Sequence, residues 1–104
     1  MKLNILGTKY DYIETAAKED TRLCDKDGYC DPYTKCIVVE NDYNETDPSA
    51  IGDFDSFRKK IKRHEIIHAF LFESGIPEHS EERVDWLAWQ FPKLLKAFQE
   101  VDAI

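Results

Sequence analysis

Along the first forty residues, apolar and polar side chains alternate in short runs, the period-2 signature of strands. Leu3-Asn4-Ile5-Leu6, Lys9-Tyr10-Asp11-Tyr12-Ile13 and Lys35-Cys36-Ile37-Val38-Val39 are three such runs. Gly7-Thr8 reads as a hairpin turn between the first two, and Asp27-Gly28 and Asp31-Pro32 punctuate the approach to the third. Ala16-Ala17-Lys18-Glu19-Asp20 fits either a helical turn or a loop. These segments predict a small, mainly antiparallel sheet of three or four strands, with the segment from Lys35 to Glu40 at its edge.

From Asp53 the period lengthens. Phe54, Phe57, Ile61, His64, Ile67, His68 and Leu71 recur at three and four, and Gly75 followed by Pro77 supplies a stop. Ser80 suits the N-cap of a second helix, whose apolar positions Val84, Leu87, Ala88, Phe91, Leu95, Phe98 and Val101 keep the same spacing. Pro92 falls inside that helix; it removes one backbone donor and predicts a kink or a division near Ala88 to Phe91. Trp86 and Trp89 add apolar area on neighbouring faces. Two long helices joined by a loop of about five residues form a helical hairpin, expected to cover one face of the sheet. The expected fold class is α+β, a sheet of three or four strands packed on two long helices in a single domain.

The intervening residues 41–52 are a polar loop by composition. Asp42, Asn44 and Thr46 alternate as in a calcium loop, but Asp47 stands where glycine is required and Asp53 where the bidentate glutamate belongs, so calcium is set aside.

Composition narrows the partners. The chain has 104 residues, enough for one core, with 42% hydrophobic and 34% charged side chains. Twenty-one acids against fourteen bases leave a charge of -7, which speaks against nucleic acid and against an anionic membrane surface. No apolar run approaches the roughly 18 residues that span a bilayer, and the amino terminus carries no apolar signal segment, so a cytoplasmic location is expected. Cys24, Cys30 and Cys36, spaced C-x5-C-x5-C, miss the short C-x2-4-C knuckle of structural zinc sites and read as ordinary thiols in a reducing compartment.

Chemistry concentrates in the first helix. His64-Glu65-Ile66-Ile67-His68 is an HExxH pattern. Four residues rise about 6 Å, so both imidazoles leave one face, and both can reach one zinc ion at about 2 Å. Glu65 is rotated by about 100°, placed to hold a water rather than to ligate. A polar triple among Ile66, Ile67, Ala69, Phe70, Leu71 and Phe72 costs free energy unless it is paired or metal-bound.

A catalytic zinc site takes three protein ligands. The longer HExxHxxGxxH pattern is excluded, because Leu71 and Ser74 occupy its glycine and third-histidine positions. Glu73 lies about 140° around the helix from His68 and faces away. Glu81 and Asp85, four apart at the start of the second helix, share a face. Glu81 is the candidate third ligand, favoured there by the helix dipole, and Asp85 would hold the distal nitrogen of a bound histidine. Glu82 is an alternate ligand, and His79, in the loop beside the site, is a candidate for stabilising the transition state.

HExxH followed by ExxxD on a second helix resembles the gluzincin zinc peptidases, in particular the small ImmA/IrrE-like metallopeptidases of bacteria and prophages. The run from Arg63 to Gly75, the segments Val84-Asp85-Trp86-Leu87-Ala88 and Gln90-Phe91-Pro92-Lys93, and the opening from Lys2 to Thr8 are similar to small phage proteins of that kind. Larger members often read E-x-E-A-N/D at the third-ligand helix, where this chain has Glu81-Glu82-Arg83-Val84-Asp85. The resemblance implies a minimal zincin-like fold and zinc-dependent hydrolysis of a peptide or protein substrate, with Glu65 as general base. Two rival readings remain: a zinc-stabilised binding module that does not cleave, and an acidic interaction protein or DNA mimic without metal. Oligomeric state is left open.

Overall fold

The computed structural model describes residues 1–41 and 53–104; the calcium-like spacing at Asp42, Asn44, Thr46 and Asp47 lies outside the described residues. Strands β1 (Lys2–Ile5) and β2 (Thr8–Thr15) pair antiparallel with Ile5 opposite Thr8. The turn falls one residue earlier than Gly7-Thr8: Leu6 and Gly7 form it at φ 50° and 92°. A two-residue hairpin loop of this kind needs both positions left-handed. The Asn4 side chain supports it, Oδ1 accepting from the Gly7 N–H at 2.7 Å.

β3 (Gly28–Asp31) and β4 (Cys36–Glu40) form a second antiparallel hairpin, and β4 runs parallel to β2. The sheet is therefore four-stranded and mostly antiparallel, in the order β1-β2-β4-β3. This corrects the expected edge: β4 is interior, and Ile37, Val38 and Val39 are at most 1% exposed. Successive buried residues mean that both faces are covered, and a continuous apolar run rather than an alternating one is the sequence mark of such a strand. The edge beside β4 is β3, whose two end residues, Gly28 and Asp31, read in the sequence as turn punctuation. Cys30 and Cys36 are half-buried in these two strands, Cys24 is exposed, and all three are free.

Helix α1 (Phe54–Glu73) is capped by Asp53, whose Oδ1 accepts from the Ser56 N–H at 3.1 Å, and Gly75 at φ 85° ends it. Ser80 caps α2 (Glu81–Glu100) by accepting from the Arg83 N–H. α1 carries the helix–sheet packing, placing Ile61 and Ala69 among Ile5, Tyr10, Ile37 and Val39. α2 packs on α1 instead of sharing the sheet with it, which corrects the expectation that both helices cover one face. Glu73 pins the end of α1 to the sheet: it accepts from Thr8 Oγ1 at 3.0 Å, Tyr10 OH at 2.7 Å and Lys35 Nζ at 2.8 Å.

Pro92 does not divide α2, which runs through it as one helix. The proline lacks the N–H that the Ala88 carbonyl would otherwise receive. Arg63 of α1 supplies the missing donor, with Nε 2.6 Å from that oxygen. Among the described residues, no helix is long and apolar enough to cross a membrane.

Candidate metal centre

One face of α1 carries Lys60, His64 and His68 at successive four-residue steps. The Ser80 cap starts α2 so that Glu81 sits in its first turn and Asp85 one turn later. The two helices bring these five side chains together. His64 Nε2 lies 2.9 Å from Glu81 Oε2 and 3.1 Å from His68 Nε2. His68 Nε2 lies 3.0 Å from Glu81 Oε1. A tetrahedral ion with bonds of about 2.0–2.1 Å wants its donors about 3.3 Å apart. The triad therefore closes to within a few tenths of an ångström of that geometry.

Hydrogen-bond logic points the same way. The Asp85 carboxylate, which can only accept, stands 3.1 Å from His64 Nδ1, so Nδ1 carries the proton and donates. Nε2 is then the ring nitrogen that meets Glu81 and His68, donating to the carboxylate when protonated and offering a lone pair to a cation when not. One proton joins only two of these groups; one divalent cation joins all three. Burial pushes the His68 imidazole towards its neutral, metal-binding form, with its side chain 10% exposed. Partial burial would raise Glu81, but its bonds to His64 and His68 outweigh that and keep it ionised. Asp85 is likewise held below the usual carboxylate range: burial is outweighed by Lys60, whose Nζ lies 2.7 Å away, and by His64.

Glu65 belongs to the same cluster, and one of its oxygens lies within 4.8 Å of ligand atoms of His64 and His68. It is 7% exposed, and burial, partly offset by His64, pushes it up to about 7. Glu81, reaching both Nε2 atoms at 3.0 Å or less, is the better third ligand. Glu65 is placed to exchange protons instead.

These groups line a groove of about 460 Å³ whose opposite wall runs from Lys26 to Cys30, the approach to β3 and its first three residues. Gly28 is what allows that wall to come so close. A Cβ there would stand 2.9 Å from the Val38 carbonyl oxygen, 3.2 Å from Glu65 Cγ and 3.3 Å from Ile61 Cγ2. Gly28→Ala should therefore destabilise the fold by about 1–3 kcal/mol and displace Glu65. Denaturant melts check the first effect, and unchanged stability would refute the close approach.

The sequence-derived candidates separate clearly. His64, His68, Glu81, Glu65 and Asp85 converge, whereas Glu82, exposed like Glu81, does not line the groove. His79 lies at the far side of His68, its Nδ1 2.7 Å from His68 Nδ1. Lys60 escaped the sequence reading, although its position four residues before His64 was the available signal.

Comparison with family models, with curated proteins and with solved structures produced no match.

Proposed function

We propose that this chain is a zinc-dependent peptidase. One observation supports this above others: two imidazole nitrogens and a carboxylate meet at 2.9–3.1 Å beside a buried glutamate that is not needed as a ligand. His64, His68 and Glu81 would hold the ion, with Asp85 orienting His64. Bound there, zinc would act as a Lewis acid and bring the pKa of water towards neutrality.

The chain's own residues supply the rest. Glu65, poised near neutral pH in a desolvated pocket, accepts a proton from water and returns it to the leaving amine. An extended peptide would lie along β3, the edge strand that forms the groove wall, adding to the sheet through backbone hydrogen bonds. The docking edge is then Gly28–Asp31, not the Lys35–Glu40 segment that the sequence pattern puts at the edge of the sheet.

The test is metal analysis of purified protein, followed by incubation with a mixture of unstructured peptides and mass-spectrometric reading of new termini. One zinc per chain with new termini is expected. Protein that takes up no stoichiometric zinc overturns the reading. A zinc-loaded protein that cleaves nothing supports the non-catalytic binding module instead.

A further inference from the structure

We propose that His79 is the positioning residue for His68, fixing its ring and tautomer for the metal; this rests on the zinc reading above. An imidazole that ligates through one nitrogen presents N–H at the other, and the acceptor found there sets its orientation. For His64 that acceptor is Asp85, itself held by Lys60. For His68 it is the imidazole of His79, with Nδ1 atoms 2.7 Å apart, ring centroids 4.6 Å apart and ring planes inclined by 38°.

The proton count fixes the roles. His68 Nε2 faces the Glu81 carboxylate and ligates, so His68 Nδ1 carries the hydrogen. His79 therefore accepts at Nδ1 and carries its own hydrogen on Nε2. The loop is arranged for this contact: from Ser74 to Ser80 every residue is exposed except His79, which is half-buried. Its outer side lines a small cavity of about 180 Å³ with His68, Pro32, Tyr33, Phe72 and Pro77.

The choice of a neutral partner has a physical reason. Glu65, Glu81 and Asp85 already place three carboxyl groups at the site, enough to balance Lys60 and a divalent ion, and a fourth carboxylate behind His68 would leave surplus negative charge. An imidazole accepts the hydrogen bond without adding charge.

The experiment measures zinc affinity by competition with a chromogenic chelator, with circular dichroism confirming the fold of each variant. His79→Ala should weaken zinc binding about 10–100-fold, and His79→Asn, whose Oδ1 can accept the same hydrogen bond, should recover most of the loss. The visible spectrum of the cobalt-loaded protein should change in His79→Ala and return in His79→Asn. Unchanged affinity in His79→Ala overturns the proposal. Abolished binding in both variants also overturns it, because His79 would then be a ligand. Failure of the wild-type protein to bind zinc overturns the metal reading itself, and is seen before any variant is made.

Discussion

Replacing Glu65 by Gln is expected to lower peptide hydrolysis by about 10²–10⁴-fold, the usual worth of a general base, while zinc stays bound. The substitution keeps the shape of a side chain that stands close against Gly28 and removes only its capacity to take a proton. Because Glu65 is 7% exposed, bulk water has poor access to replace it as base. Hydrolysis assayed beside metal content reads both halves of the expectation. Full activity would remove Glu65 from the chemistry, and lost zinc would make it a ligand, the alternative that its place in the His64–His68 cluster raises.

The second large effect separates two adjacent glutamates. Glu81→Ala should cost more zinc affinity than the 10–100-fold typical of an orienting partner, so at least about 100-fold. Glu82→Ala should change it by no more than about twofold, as an exposed substitution of at most about 0.5 kcal/mol allows. The prediction is sharp because the two differ by one residue and about 100° on α2. Only Glu81 reaches both Nε2 atoms. Chelator competition on both variants decides it, and the reverse order of losses would transfer the ligand role to Glu82.

Much of this site was legible because it is helical. Spacings of four residues place His64 with His68 and Glu81 with Asp85 from sequence alone, and the change of period at Asp53 and the cap at Ser80 locate both helix starts. What escaped depended on contacts between elements. The sheet order did not follow from the strand runs, because Lys35 to Val39 reads equally as a half-exposed edge or a fully covered interior strand. β3 was hidden by its brevity and by Gly28, a residue needed for its closeness to α1 and otherwise a sign of a turn. The role of His79 depends on how the loop from Ser74 to Ser80 folds back, which no periodicity encodes.

Pro92 has a consequence beyond the helix that contains it. Before its last turn, α2 offers its main-chain oxygens to the N–H four residues on, and Pro92 leaves Ala88 as the vacancy at which Arg63 docks. The proline thereby acts as a key that admits a single axial register of α2 along α1. A slip of one turn, about 5.4 Å, would leave the Arg63 guanidinium against oxygens already taken. It would also carry Glu81 out of reach of both imidazoles. An apparent flaw in one helix thus sets the bite of the site two turns away.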